Sequence, residues 1–305
     1  MLGIDQKSAG MKRLAVFAAA TLLLASCVTA PVRSPSGWMG VLPGDDTMYV
    51  SVSVPPSAAL IKKMLKDAGP GTADIVRLVD VTERVVLGVR LAPHQQTRFT
   101  AVAIGSYPAS IIRCRLTGNR EWKRITTPAG RYWQWSKTGI QIAITGRTVL
   151  LAANGEVETL LPRYESPVAL RIPPEVSLDM ENADLVLYLP ELPGGITQGS
   201  SARVPIQEVW LDAAKGEGGY GVTGTANTGS ERDAKLVALV LRLALVAWLR
   251  SENLPNTAER LKTVTISADG TQVKMSGLAF TEEEIVTLFL SLLKGPAQPA
   301  DGSGT

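Results

Sequence analysis

Apolar and polar residues alternate from Asp46 onward, with Met48, Val50, Val52 and Val54 set against Thr47, Tyr49, Ser51 and Ser53. That is the period of a strand with one buried face. Pro55 and Pro56 are expected to end it, and Ser57 to cap a helix with Leu60, Ile61, Met64 and Leu65 on one side and Lys62, Lys63 and Lys66 on the other. A short helical piece over 72–79 precedes paired strands at Val85 to Leu91 and Phe99 to Ala103. A helix is expected from Ala109 to Leu116, followed by short strands at 122–126, 132–136, 140–145 and 149–153 and a helix at 156–161. Gly118-Asn119, Ala129-Gly130 and Asn154-Gly155 supply turns where positive φ is cheap. Further strands are expected at 185–189, 209–213 and 220–225, then a long helix from Asp233 to Ser251, strands at 264–268 and 273–280, and a last helix from Glu282 to Leu293. Thr281 with Glu284 three residues on reads as a capping box.

The order strand, strand, helix, strand, strand, helix recurs, from Val85 to Leu161 and from Val209 to Leu293. An α+β protein is therefore expected, built of duplicated strand-strand-helix units, with antiparallel or mixed sheets on which amphipathic helices pack. The divisions that follow are a signal at 1–26, a tether at 27–44, a first α+β half at 45–161, a Pro-rich linker at 162–183, a second half at 184–294, and a disordered tail at 295–305.

The long helix departs from the surface pattern. From Leu236 to Leu249 every residue is apolar except Arg242, with Lys235 before and Arg250 after. Three cations spaced seven and eight apart occupy roughly a quarter of the circumference and leave the rest greasy. Two readings follow. Either the helix is central to the core with Arg242 snorkelling to its edge, or it lies in a membrane interface with Trp248 at headgroup level. It is too short to span, since crossing takes roughly 20 predominantly apolar residues. Leu236, Val240, Arg242, Leu243, Val246, Trp248 and Leu249 are the candidate lipid contacts on this helix, and Ile285, Leu288, Phe289 and Leu292 on the last one.

Near the N-terminus, Lys12 and Arg13 precede an apolar run from Leu14 to Leu24, which meets Ala25-Ser26-Cys27. A basic flank, a short apolar segment and small residues before a cysteine form an export signal of the bacterial lipoprotein kind. Met11 is the expected start and Cys27 the expected lipidated first residue of the mature chain. Trp38 and Met39 interrupt the polar tether and are expected either to dock on the body or to dip into the headgroups.

Composition narrows the chemistry. From Cys27 onward there are 28 lysines and arginines against 27 acids, so the overall balance implies no nucleic-acid partner. Cys114 is the one other cysteine, expected as a small buried hydrophobe, and no intrachain disulfide is expected with Cys27 lipidated. His94 is the sole histidine and has no nucleophile signature beside it, which argues against a catalytic triad. No zinc or calcium spacing is present, and Glu282-Glu283-Glu284 suits the positive end of a helix dipole better than a metal. Trp122, Tyr132, Trp133 and Trp135 are expected to form one packed face rather than a stacking platform for sugars or bases.

With the lipobox at Cys27, the duplicated strand pair and helix, and two over-apolar helices starting near Lys235 and Thr281, the chain resembles a treponemal outer-membrane-associated lipoprotein. The resemblance implies a mixed α/β body at the periplasmic side of the outer membrane, with amphipathic helices that open and enter the bilayer. Lipid binding or transport is then the role, with no catalytic residues, cofactor or metal. Membrane lipid is the expected partner, and self-association is left open. The alternatives are a periplasmic ligand-binding or envelope-assembly module, a surface-exposed host-interaction antigen, and a hydrolase whose site the sequence does not declare.

Overall fold

A computed structural model describes residues 35–67, 73–90, 97–170, 172–191, 205–251, 256–285 and 287. Cys27, Leu288, Phe289 and Leu292 lie outside the described residues, as do the signal and tail. The strands are β1 (Met48–Ser53), β2 (Thr82–Arg90), β3 (Arg98–Gly105), β4 (Trp122–Thr127), β5 (Gly130–Trp135), β6 (Gln141–Thr145), β7 (Val149–Ala153), β8 (Leu185–Leu189), β9 (Ile206–Gly216), β10 (Gly219–Thr228), β11 (Thr265–Asp269) and β12 (Gln272–Phe280). The helices are α1 (Pro35–Met39), α2 (Val54–Asp67), α3 (Ala73–Val79), α4 (Ala109–Gly118), α5 (Val157–Glu165), α6 (Pro174–Asn182), α7 (Glu231–Ser251) and α8 (Thr257–Thr263).

All twelve strands join one antiparallel sheet in the order β11-β12-β10-β9-β8-β1-β2-β3-β7-β6-β5-β4. The fold is thus α+β. The order also displays the repeat. Outward from the centre, β1-β2-β3-β7-β6 mirrors β8-β9-β10-β12-β11, and β1 pairs with β8 through Val50↔Leu187 and its neighbours. Each half is a three-strand meander, then a helical crossover (α4 or α7), then a hairpin that returns beside the third strand. The hairpin β4-β5 is an addition to the first half alone.

Strand alternation assigns the helices to faces. Tyr49, Val86, Val102, Leu151, Tyr188 and Trp210 pack on one face with Val157 and Leu160 of α5 and Val176 and Met180 of α6. On the opposite face Ala226, Ile266 and Val273 meet Ala234, Val237 and Ala238 of α7. There too Trp133 and Ile144 meet Ala109 and Leu116 of α4, and Ala213 and Tyr220 meet Leu60 of α2. Since α2 belongs to the first half and β9 and β10 to the second, this contact ties the halves together.

Several segments differ from the sequence reading. The supposed tether is folded from Pro35 on: Trp38 is 4% exposed, and Met39, Val41 and Leu42 are fully buried in the main core. Trp38 therefore docks on the body, 6.3 Å from the Tyr164 ring. The supposed linker at 162–183 carries the end of α5 and the whole of α6, whose Val176 and Met180 are fully buried. Pro174 opens α6, where a missing N–H costs nothing. Pro55 and Pro56 likewise sit in the first turn of α2, which starts at Val54, ahead of the expected cap at Ser57. Ser57, released from capping, is buried with its hydroxyl 3.2 Å from Tyr220 Oη. Cys114 is exposed, because the helical period turns Ala109, Ile112 and Leu116 of α4 inward instead. Trp122, Trp133 and Trp135 do share one face, with Trp122 and Trp135 in a T-shaped pair at 5.0 Å, while Tyr132 points to the other.

Candidate functional site

The helix α7 packs on β10, β11 and β12 along one stripe: Ala234, Val237 and Ala238 are buried, with Leu241 and Leu245 against the same cluster. The opposite stripe of this helix is apolar as well. Leu236 is 53% exposed, Leu239 55%, Val240 43% and Leu243 65%, spaced as one helical face, with Ala247 exposed one turn on. Both faces are greasy, so the reading of α7 as a central core helix does not hold; it is a surface helix. Leu249 is fully buried and Val246 half-buried, which removes Leu249 from the outward set. Lys235 and Arg242 flank the exposed stripe on one side, and Arg250 stands exposed at its end.

Both ends of α7 are pinned. At the start, the Ser230 hydroxyl caps the helix, accepting from the Asp233 N–H at 3.1 Å and donating to the Asp233 carboxylate at 2.7 Å. Towards the end, Trp248 is 36% exposed and stands edge-on to Phe280 at 6.0 Å. Arg260 of α8 lies over the same Phe280 ring at 5.5 Å and pairs with Glu284 at 2.5 Å. Glu284 also accepts from the Thr281 N–H at 2.8 Å while its own N–H donates to the Thr281 hydroxyl, the capping box that the spacing predicts. Burial alone would raise the Glu284 carboxyl, but the Arg260 guanidinium and the Thr281 N–H outweigh it and hold it below its usual range. Ile285 is half-buried and packs with Leu60, Ala213 and Tyr220. Near it, Lys63 reaches Glu283 at 3.7 Å and Lys215 reaches Glu282 at 2.7 Å. This acidic start of the last helix is thus neutralised by α2 and β9.

A second group of ionisable residues sits in the first half, on the other face. Asp46 is 6% exposed, and Thr100 donates to it at 3.4 Å. A side chain at position 88 would put its Cβ 2.0 Å from the Asp46 carboxylate, so any residue but glycine there would displace Asp46. Burial pushes the Asp46 carboxyl up to about 6, with the Arg90 guanidinium acting against it. Around it Arg90, Arg98, Phe99, Asn154 and Glu156 line a cavity of about 10 Å³, room for no more than a water. That is far below the roughly 300–1,000 Å³ of small-molecule sites and cannot take an acyl chain. Among the described residues no group of His, Cys, Asp and Glu has metal-holding geometry, and no helix is long and apolar enough to cross a membrane.

The outer membrane-associated lipoprotein TP0453 family matches residues 35–190, a span that stops before α7. Solved structures of the Treponema protein TP0453 share the fold. Its crystal form III superposes with a TM-score of 0.62 at 17% identity, covering 86% of this chain and 99% of that one. Crystal form I gives 0.61 at 18% identity, with 87% and 99% covered, and crystal form IV gives 0.61 at 17% identity, with 83% and 96%. At such identities the likeness carries the fold alone. No curated protein matches.

Proposed function

We propose, from the premise that this chain belongs to the TP0453 family of outer membrane-associated lipoproteins, that it is a non-catalytic, lipid-anchored protein that lays α7 into a membrane interface. In this reading it binds or perturbs the outer membrane from its periplasmic face, with lipid transport as the wider role. Cys27 carries the acyl chains and membrane lipid is the partner.

The observation that supports the reading is the exposed stripe Leu236, Leu239, Val240 and Leu243, opposite a face already buried on the sheet. Scattered exposed aliphatic side chains need no explanation, but three leucines and a valine on one helical face, with cations along one side, suit an interfacial helix. The magnitude is instructive. Completing the burial of four half-exposed aliphatic side chains is worth about 1 kcal/mol each, so about 4 kcal/mol in all, equivalent to a dissociation constant of roughly 1 mM. That is too weak to recruit a dilute protein. It suffices for a body already held at the bilayer, where the contact becomes intramolecular at millimolar effective concentration.

The test is vesicle partitioning at millimolar lipid by the full chain carrying Cys27→Ser, against the same chain with Leu239→Glu and Leu243→Glu added. Both leucines are more than half exposed, so the fold, followed by circular dichroism, is expected to survive. Partitioning should fall about tenfold or more. Equal partitioning of the two proteins would remove α7 from the membrane contact.

A further inference from the structure

The duplication gives α7 a counterpart. Helix α4 is the crossover of the first half and lies on the same sheet face, but its surroundings are electrically unlike those of α7. Residues 109–147 carry eight lysines and arginines (Arg113, Arg115, Arg120, Lys123, Arg124, Arg131, Lys137 and Arg147) against one acid, Glu121. With a net charge of only +3 over the whole chain, the remainder is net acidic. All eight cations are exposed. Glu121, the single acid, is taken up by Lys137. Arg113 donates to the Ile144 carbonyl at 3.1 Å, which fixes its stem against β6.

On α4 itself, the outward stripe is Ser110, Ile111, Cys114 and Gly118, with Ile111 56% exposed. Arg113 and Arg115 stand on either side of it. Strand alternation brings Arg124 of β4 and Arg131 of β5 to the same face as Trp133, and so to the side on which α4 packs. A small apolar tip between two guanidinium groups, with two more beside it, repeats the design of α7 with the weights reversed. There the contact is mostly apolar with a cationic flank; here it is mostly cationic with an apolar tip.

We propose that α4, with Arg113, Arg115, Arg124 and Arg131, is a second membrane contact, selective for anionic phospholipid headgroups. The proposal rests on the membrane reading of α7 and names the lipid class the protein prefers. Two features favour a bilayer over a soluble polyanion: the exposed Ile111 at the centre of the charge, and the equivalence with α7 in the repeat. Each cation near an anionic surface multiplies affinity about fivefold, so two removed together should weaken binding on the order of twentyfold.

Cys114, on the outward stripe, provides the probe. The full chain carrying Cys27→Ser is labelled at Cys114 with an environment-sensitive fluorophore and titrated with two kinds of vesicle, phosphatidylcholine alone and an equal mixture with phosphatidylglycerol. Tighter binding to the mixed vesicles with a blue shift of the probe is expected. Arg124→Gln with Arg131→Gln should lower affinity for mixed vesicles on the order of twentyfold, abolish the blue shift, and leave binding to phosphatidylcholine unchanged. Both arginines are exposed, so the thermal midpoint should not move. A probe that stays in water on vesicle-bound protein, or a charge variant that binds mixed vesicles like the parent, overturns the proposal while binding to neutral vesicles still upholds α7. Loss of binding to neutral vesicles in the leucine variant addresses α7 alone. Polyphosphate that binds the arginines while mixed vesicles gain nothing from them would assign the patch to a soluble polyanion and overturn the membrane assignment.

Discussion

Arg242 of α7 donates a hydrogen bond to the backbone carbonyl of Ile266 on β11, the outermost strand of the sheet. The hairpin register, with Asp269 opposite Gln272 and Ile266 opposite Met275, turns the polar backbone of Ile266 away from β12 and towards the open edge. Arg242 therefore holds the helix down and covers an edge carbonyl at once. A charged donor on a neutral acceptor is among the stronger hydrogen bonds, and here it competes with any anion that the guanidinium meets outside.

Arg242→Gln is expected to lower stability to urea by about 1 kcal/mol. In the same variant, partitioning into neutral vesicles should be unchanged, because the stripe that meets lipid is exposed while the opposite face stays on the sheet. A several-fold rise in partitioning would mean instead that α7 leaves the sheet to bind.

Glu284 and Arg260 form a pair whose side chains are 9% and 15% exposed, joining α8 to the start of the last helix. Replacing Glu284 by Gln removes the nearly buried carboxylate that meets both Arg260 and the Thr281 N–H and should cost about 2–4 kcal/mol in equilibrium unfolding. Because the Glu284 carboxyl is held below its unfolded range, its contribution is complete above that range and is lost as pH falls through the folded value. The difference between parent and variant should thus shrink at acid pH. A difference that persists undiminished at pH 3 would contradict this account.

Asp46 acts in the opposite sense. Its carboxyl is raised to about 6 when folded, so its support for the fold is complete below the unfolded value of 3.8 and is lost as pH rises through about 6. Asp46→Asn should be indistinguishable from the parent near pH 4 and more stable by roughly 1–3 kcal/mol at pH 7.5. Thermal midpoints across that range decide it, and an asparagine variant less stable at pH 7.5 would show that the carboxylate is stabilised by Arg90 after all.

Cys27→Ser is expected to abolish incorporation of radiolabelled palmitate and to move the protein out of the membrane fraction. Intact cells treated with protease should leave the lipidated parent whole if it sits on the periplasmic leaflet, whereas cleavage would place it outside. Undiminished label in the serine variant would rule out Cys27 as the acceptor.

The strands were largely legible because a period of two leaves little latitude once one face is buried, as in Met48 to Val52, while Val149 to Ala153 reads as a short apolar run buried on both faces. Thr281 and Glu284 gave the last helix its start through local chemistry alone. What was not legible depends on distant partners. Trp38, Met39, Val41 and Leu42 look like stray apolar residues in a Pro-rich stretch until α6 and β2 are there to receive them. The orientation of α7 was undecidable because roughly three quarters of its circumference is apolar, which leaves nothing to distinguish the side on Val273 from the side of Leu243. The basic end at α4 was hidden differently, by a near-neutral total that averaged it with the acidic remainder.

That residues 35–42 fold into the core shortens the leash. Between Cys27 and Pro35 the chain makes eight steps, at most about 28 Å when fully drawn out. It emerges at α1, which packs against β2, and β2 is five strand positions from β12, about 24 Å across the sheet. α1 lies on the face opposite α7 and α4, so with the proposed lipid anchor at Cys27 the leash must pass round the sheet before that helical face can meet the same bilayer. The length of a seven-residue segment is then what limits how closely the proposed membrane face can be pressed down.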